Sequence, residues 1–366
     1  MGGAAVSVRV QNNILIDAQG RQVVLRGVNL SGTEYACAQR GGPGSRGWSI
    51  YADQPLDASA TYAAIRAWHA NVVRVPLNED CWLGINGVSP MYGGTTYMTA
   101  IRTEVALIHQ AGMMVILDLH WSAPGAYAAV GQQPMPDADH SIGFWSSVAA
   151  AFRDDPGVLF DVFNEPYGDG GFRGDATSDQ QGWSCWRDGC AMQSFVSNGQ
   201  VGPDGATLGS TTRYAWRSAG MQQLIDAVRG SGARQPVIVA GIGWANDISG
   251  WLAGGLRDPA GQLIAGIHLY PAQGCQLPDC WGDMAPVAAR VPVVIGETGD
   301  SAGGPVTYLD KALPSADQHG LSYLAWTWNP WDHPDDVLIT GWDGKPTPGE
   351  GSYYRDHLAS VAGSGS

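Results

Sequence analysis

The sequence predicts an α/β fold, a closed (β/α)8 TIM barrel, and three observations lead to it. Eight apolar runs of strand length alternate with helix-like segments along the chain. Most of these runs lack alternating polar residues, as expected for parallel strands covered on both faces. The longest connections follow strands, and in a barrel such connections lie on the C-terminal face, where functional sites are built. A doubly wound open sheet is the alternative, but no Gly-x-Gly-x-x-Gly motif follows a strand.

A short β-hairpin, residues 1–22, is predicted at the N-terminus, because Asn-Asn and Gln-Gly turn signals separate strand-like pieces there. It leads into the first buried strand. The predicted barrel strands occupy residues 24–30, 71–77, 112–119, 158–163, 236–240, 263–269, 291–295 and 321–326. The predicted helices between them span residues 58–69, 97–110, 141–153, 212–229 and, as one short helix, 248–253.

The long connections 31–57, 166–210 and 271–280, with the loop after the second strand, carry all six cysteines. Cys185 and Cys190 enclose four residues, as do Cys275 and Cys280, which leaves Cys37 and Cys81. Six cysteines allow 15 pairings, so proximity alone guides this assignment. Disulfides in the βα loops are favoured, and zinc remains the alternative for the short pairs.

Composition limits the function classes. The net charge is −14 and no Lys/Arg-rich cluster occurs, which argues against a nucleic-acid partner. No apolar run is long enough to span a membrane. Residues 1–358 are expected to form one catalytic domain, with 359–366 as a flexible tail or linker. The six cysteines favour a secreted protein whose signal peptide is absent from this chain, and we expect a monomer.

Two apolar runs end in a glutamate: FDVFNEP at residues 160–166 and VVIGETG at residues 293–299. A carboxylate at the end of a buried strand is costly unless it has a partner or a task. Glu165 and Glu297 would meet at one end of a parallel sheet, and a pair of carboxylates is what glycoside hydrolysis requires. A strand-end residue that points at solvent is the alternative for either one alone.

Other polar and aromatic residues cluster at the same ends of successive strands. Each could be a core residue by itself, but their joint occurrence favours a site. The set comprises Arg74, His120, Trp121, Asn164, His268, Tyr270 and Trp328.

This set resembles the strand-end residues of glycoside hydrolase family five, the cellulase family. That family belongs to a large clan (clan A) of barrel glycosidases with catalytic glutamates on strands four and seven. The resemblance covers residues 24–343 and implies a retaining double displacement. It assigns Glu297 as nucleophile and Glu165 as acid/base, with Arg74 and Tyr270 donating to Glu297 and His268 beside Glu165.

The resemblance also implies sugar contacts at the cleavage subsite. Asn164 would bind the 2-hydroxyl, His120 another hydroxyl, and Trp328 would form the floor. The chain holds fifteen tryptophans, and those in the predicted catalytic-face loops, Trp121 and Trp244 among them, are candidates for stacking on sugar rings. No cofactor or metal is implied.

The resemblance leaves the substrate open. An endo-β-1,4-glucanase acting on an oligo- or polysaccharide is the first reading, and a β-mannanase or an exo-acting β-glycosidase is the alternative. Thr298 follows the nucleophile where many relatives have an aromatic residue, which puts cellulose-like substrates in doubt. Two other classes are a non-catalytic carbohydrate-binding barrel and a metal-dependent hydrolase that uses Asp118, His120 and His268.

Overall fold

Eight parallel strands close into a barrel. Each strand pairs with the barrel strand before it and the one after it, and the eighth strand pairs with the first. The computed structural model describes residues 6–38, 58–167, 179–195, 213–331 and 336–362. The strands are β1 (Arg9–Gln11), β2 (Ile14–Ile16), β3 (Gln22–Val23), β4 (Arg26–Asn29), β5 (Val72–Asn78), β6 (Met114–Trp121), β7 (Val158–Asp161), β8 (Ala191–Phe195), β9 (Arg213–Arg217), β10 (Val237–Ala240), β11 (Leu263–Leu269), β12 (Val293–Thr298), β13 (Ser322–Ala325), β14 (Ile339–Gly341) and β15 (Lys345–Pro346). The helices are α1 (Ala58–Ala67), α2 (Glu79–Leu83), α3 (Thr95–Gln110), α4 (Ser141–Phe152), α5 (Asp179–Asp188), α6 (Met221–Gly230), α7 (Trp281–Ala288), α8 (Leu309–Gln318) and α9 (Glu350–Ala362). The barrel consists of β4 to β7 and β10 to β13, so the predicted fold class is confirmed.

Side chains on the barrel strands alternate between two apolar cores, because successive residues of a strand point to opposite faces. On β5, Val73, Val75 and Leu77 join the large core between sheet and helices, whereas Val72 joins the core inside the barrel. The antiparallel sheet β1–β2–β3 adds Val8, Val10 and Leu15 to this inner core. The N-terminal strands therefore close the lower end of the barrel.

The barrel interior changes from apolar to polar along β5 and β6 toward their C-terminal ends. On β5 the inward position after Val72 is Arg74, and on β6 the positions after Ile116 are Asp118 and His120. All three polar side chains are buried. A floor of aliphatic side chains thus supports a layer of charged groups, and this layer lies where the catalytic face of a barrel is expected.

Three disulfides tie the loops of that face, as predicted: Cys37–Cys81, Cys185–Cys190 and Cys275–Cys280. They include every cysteine of the chain, so the zinc alternative for the short pairs is wrong. No helix in the described ranges is both long and apolar enough to cross a membrane.

Three local predictions differ from the structure. Residues 213–217 form β9, which pairs with β8 as a hairpin, so only the second half of the helix predicted at 212–229 is helical. Residues 248–253 form turns instead of a helix. Helix α9 continues to Ala362, so residues 359–362 are its last turn and not part of a flexible tail; residues 363–366 lie outside the described residues.

Candidate active site

Glu165 and Glu297 come together at the C-terminal end of the barrel. Glu297 lies on β12, and Glu165 follows β7. One oxygen of each carboxylate and a ring nitrogen of His268 all lie within 4.8 Å of one another. Retaining glycosidases place their two carboxyl groups about 5–5.5 Å apart, and inverting ones about 6.5–9.5 Å apart to leave room for water. The close approach therefore fits a nucleophile and an acid/base.

Glu297 is buried and accepts two strong hydrogen bonds. Arg74 Nη1 donates to Oε1 at 2.8 Å, and the Tyr270 hydroxyl donates to Oε2 at 3.0 Å. Burial and the charge of Glu297 raise the pKa of Tyr270 well above its ordinary value, so the phenol stays a donor. These contacts occupy one lone pair of each Glu297 oxygen and fix the orientation of the carboxyl group.

Two glycines make room for these partners. A Cβ on Gly296 would lie 2.8 Å from His268 Nε2, and one on Gly299 would lie 3.0 Å from Tyr270 Cε1. Real Cβ atoms do not approach ring atoms so closely without displacing them. Any side chain at either position would therefore push apart the groups that contact the two acids.

Arg74 is the centre of the buried charge network, with no exposed side-chain surface. In addition to Glu297, Arg74 contacts Asp161 at 3.0 Å, Asp118 at 3.1 Å and the side-chain oxygen Oδ1 of Asn164 at 2.8 Å. Burial disfavours its charge, but Asp118 and Asp161 outweigh that and raise the pKa of Arg74, so it remains a cation. Burial and the charge of Asp118 raise the pKa of Asp161 to about 7, although Arg74 opposes them.

Glu165 has a different environment from Glu297. His268 Nδ1 lies 2.8 Å from Oε1, and Gln132 Nε2 donates to Oε2 at 3.0 Å. Burial raises the pKa of Glu165, but the hydrogen bond and charge of His268 outweigh it and leave the pKa below its ordinary value. Burial lowers the pKa of His268, yet Glu297 and Glu165 together raise it above its ordinary value. The two groups therefore titrate together as a pair.

His120 lies at the rim of the charge network, where Asp118 Oδ2 binds its Nδ1 at 2.7 Å. Its ring stacks on the partly exposed Trp326, with centroids 5.5 Å apart and planes at 15°. The prediction that Trp328 forms the sugar floor is wrong, because Trp328 has no exposed surface. Its ring packs edge-on against Trp68, with ring centroids 4.7 Å apart. The aromatic ring available beside His120 is Trp326, two residues earlier.

The remaining predicted residues lie at the same end of the barrel. Because Arg74 holds the Asn164 carbonyl oxygen, the amide nitrogen of Asn164 is turned away from it and can serve as a donor. Trp121 is half-buried beside Tyr35, with ring centroids 6.1 Å apart.

Sequence reasoning missed Asp161, Trp326 and Gln132. Asp161 carried a detectable signal, since it is an acid inside an apolar run. Gln132 carried none, because its loop position before α4 does not reveal its contact with Glu165.

Among the described residues, two groups of acids and histidine have donor atoms within 4.8 Å of one another: Glu165–His268–Glu297 and Glu79–Asp137–His140. Neither is the Asp118–His120–His268 set of the metal-hydrolase alternative. Asp118 instead binds His120 and Arg74, and His268 binds Glu165, which commits all three to charge pairing.

Known proteins resemble this chain in sequence and in fold. A family profile described as Cellulase (glycosyl hydrolase family 5) matches residues 16–332. The chain is similar to a mannan endo-1,4-β-mannosidase of Streptomyces lividans, at 24% identity over 340 residues, covering 89% of this chain and 67% of that protein. It is also similar to a mannan endo-1,4-β-mannosidase of Salipaludibacillus agaradhaerens, at 23% identity over 352 residues, covering 92% and 86% of the two chains.

Two solved structures share the fold. A β-glucanase from Saccharophagus degradans superposes with a TM-score of 0.66 at 19% identity, covering 98% of this chain and 94% of that one. A β-mannanase from Streptomyces thermolilacinus gives a TM-score of 0.63 at 20% identity, covering 97% and 96%. At these identities the likeness concerns the barrel architecture.

Proposed function

Since the chain belongs to glycosyl hydrolase family 5, we propose that it cleaves a β-1,4-linked polysaccharide internally, with retention at the anomeric carbon. The observation that supports this proposal is the pair of carboxylates, whose nearest oxygens lie within 4.8 Å of each other and which have different partners. Arg74 and Tyr270 donate to Glu297, whereas His268 and Gln132 contact Glu165. Such a division of roles is what two-step hydrolysis needs.

In the first step Glu297 attacks the anomeric carbon while Glu165 gives a proton to the leaving oxygen. The bond from carbon to the leaving oxygen breaks, and a glycosyl ester of Glu297 forms. In the second step Glu165 takes a proton from water, which displaces Glu297. Arg74 and Tyr270 receive the carboxylate again. That proton restores the acid form of Glu165 for the next cycle, and the Asn164 amide donates to the 2-hydroxyl.

Trp326 and His120 replace Trp328 in our proposal for the cleavage subsite. Their stacked rings provide a flat aromatic surface and a polar edge in one place. The apolar face of a pyranose can lie on an indole ring, and the hydroxyls at its rim can bond to imidazole. Trp121 stays a candidate contact at the same rim.

Mannan is the first substrate we propose, because the two relatives compared above, each matched over about nine-tenths of this chain, are mannan endo-1,4-β-mannosidases. Thr298 in place of an aromatic residue after the nucleophile supports the same choice. A glucan backbone, the substrate first predicted from the sequence, is the second candidate, because the matching family profile is described as Cellulase. Secretion is also proposed, since three disulfides persist in oxidising compartments.

The test is product analysis on mannan, mixed-linkage glucan and carboxymethyl-cellulose, with Glu297→Ala as the matched inactive variant. Internal cleavage lowers viscosity faster than reducing ends accumulate, and we expect this on mannan. The first product should carry the β configuration by NMR. Azide should restore turnover of an activated aryl glycoside to Glu297→Ala and yield a product of inverted configuration. Normal turnover by that variant, or a first product of α configuration in the wild type, would contradict the proposal.

A further inference from the structure

Gln132 is a half-buried loop residue whose side chain reaches the acid/base. It lies in the connection between β6 and α4, and its Nε2 donates to Glu165 Oε2 at 3.0 Å. His268 Nδ1 lies 2.8 Å from the other oxygen, Oε1. The two oxygens of the acid/base therefore have different neighbours, a histidine from a barrel strand and an amide from a loop.

The loop that carries Gln132 is fixed on both sides of this residue. Before it, the Ala129 carbonyl accepts from Asn78 Nδ2 at 2.8 Å. After it, the Pro136 carbonyl accepts from the Ala219 N–H at 2.8 Å. The fold therefore sets the position of the amide before any substrate binds, as a site that acts by orientation requires.

The same loop is bonded to the segment that carries the acid/base. Tyr167, two residues after Glu165, donates its N–H to the Pro134 carbonyl at 2.9 Å and its hydroxyl to the Gln132 carbonyl at 3.3 Å. Both the backbone and the side chain of Gln132 thus contact residues 165–167. These bonds fix the distance between the two segments, so the amide meets Glu165 Oε2 in one geometry.

An amide N–H favours one protonation state of a carboxyl group. It donates to an oxygen, and a hydrogen bond to a charged acceptor is stronger than one to a neutral acceptor. Burial raises the pKa of Glu165, whereas His268 and then Gln132 lower it. The amide therefore favours ionised Glu165, which is the form that takes a proton from water in the second step.

The other groups that face Glu165 come from the barrel strands and the chain just after them. His268 on β11 and Glu297 on β12 each place an atom within 4.8 Å of a Glu165 oxygen. The charge of His120 on β6 also lowers the pKa of Glu165, and Tyr270, after β11, interacts with its charge. Gln132 is a neutral neighbour, so its replacement by another neutral residue leaves all of these charges in place.

We propose that Gln132 is a positioning residue for the second step, in which its amide N–H holds Oε2 of ionised Glu165 while that carboxylate takes a proton from the attacking water. The water oxygen bonds to the anomeric carbon, the bond from that carbon to Glu297 breaks, and the proton ends on Glu165. This inference rests on the proposed function and goes beyond it by giving hydrolysis of the glycosyl ester a requirement that its formation lacks. Because the same bond opposes protonation of Glu165, loss of the amide should affect the two steps in opposite directions.

The test measures how fast water releases a 2-fluoro-glycosyl ester trapped on Glu297, from about pH 4 to pH 8. The ester is formed with 2-deoxy-2-fluoro-β-mannobiosyl fluoride, or with the cellobiosyl fluoride if the wild type cleaves glucan instead of mannan. Gln132→Met removes the amide and keeps a side chain of similar length. Its acidic limb should lie about one unit above that of the wild type, as expected for the loss of one hydrogen bond to a carboxylate. At pH values below both limbs, release should be about tenfold slower.

A second variant and a matched control accompany this measurement. Gln132→Glu places another carboxyl group beside Glu165 and should move the acidic limb further in the same direction. Gln222→Met is the control, because Gln222 Nε2 donates to the Asp226 carboxylate at 2.9 Å on the outer helix α6. Its limb should coincide with that of the wild type.

The first step supplies the opposite sign. The alkaline limb of kcat/KM on an oligosaccharide should move to higher pH in Gln132→Met, because the variant keeps the acid form of Glu165 longer. An unmoved acidic limb of ester release, a loss of equal size at every pH, or a downward shift of the alkaline limb would overturn the assignment. A wild type that forms no ester on Glu297 would instead overturn the proposed function, and this assignment with it.

Discussion

Replacing His268 by asparagine should move the alkaline limb of the pH dependence of kcat/KM to lower pH. His268 Nδ1 and Glu165 Oε1 lie 2.8 Å apart, so the two groups titrate together. Burial lowers the pKa of His268, but Glu297 and Glu165 raise it above the ordinary 6.5. The pair can therefore supply a proton to the leaving oxygen until His268 deprotonates, above pH 6.5.

The size of the shift follows from what asparagine keeps and what it removes. Its amide can donate to Glu165 from the place of Nδ1, but it holds no titrating proton. The alkaline limb of the variant then reports the titration of Glu165, whose ordinary pKa of 4.5 lies two units below that of histidine. Burial of Glu165 raises its pKa once the histidine charge is gone, so we expect a downward shift of about one to two units. At pH values above both limbs, activity should be lower than that of the wild type by about tenfold to hundredfold, since each unit of pKa corresponds to a factor of ten.

The assay is kcat/KM from about pH 4 to pH 9 on an oligosaccharide and on a dinitrophenyl glycoside. Dinitrophenolate leaves without protonation, so the variant should match the wild type on that substrate across the alkaline range. An unmoved or upward-shifted alkaline limb on the oligosaccharide would refute shared proton storage. Loss of the limb difference between the two substrates in the wild type would show that Glu165 is not the acid.

Three further predictions follow from buried contacts. Arg74→Met leaves buried carboxylates unpaired and should cost about 3–5 kcal/mol, seen calorimetrically as a melting point lower by roughly 4–7 °C; an unchanged melting point would contradict the network. Trp326→Ala should lower kcat/KM on a β-disaccharidyl fluoride by at least about tenfold, and full activity would remove Trp326 from the cleavage subsite. Replacing Cys37 and Cys81 by serine opens a sequence separation of 44 and should cost about 4 kcal/mol in denaturant unfolding, against about 2 for either short-loop disulfide; equal costs would contradict the chain-entropy explanation.

The barrel and its two acids could be predicted because both depend on patterns within a few residues. A run such as residues 291–295 is apolar on both faces only if both faces are covered, which selects a parallel sheet with helices outside. A glutamate at the end of such a run stands out because burying it costs free energy. Glu165 and Glu297 therefore carried their own signal.

Other features depend on distances that the sequence does not contain. Residues 213–217 alternate as a strand does, yet they adjoin the helical segment 221–230, and only pairing with β8 identifies them as a strand. Gln132 contacts Glu165 because the loop before α4 folds over the site. Trp326 and Trp328 are two apart, so both would face the barrel if β13 continued, but the strand ends at Ala325 and the chain turns. One ring then meets the site and the other enters the core.

The two carboxyl groups of the site are held by different kinds of contact. On the side of the sugar that becomes bonded to Glu297, side chains come from barrel strands and are fixed by buried charge pairs such as Arg74 with Asp118. On the side of Glu165, a contact comes from a loop, since Gln132 Nε2 donates to Glu165 Oε2 at 3.0 Å. Changes in that loop can alter the surroundings of Glu165 without disturbing the buried charges around Glu297. The environment of one carboxyl group is therefore separable from that of the other.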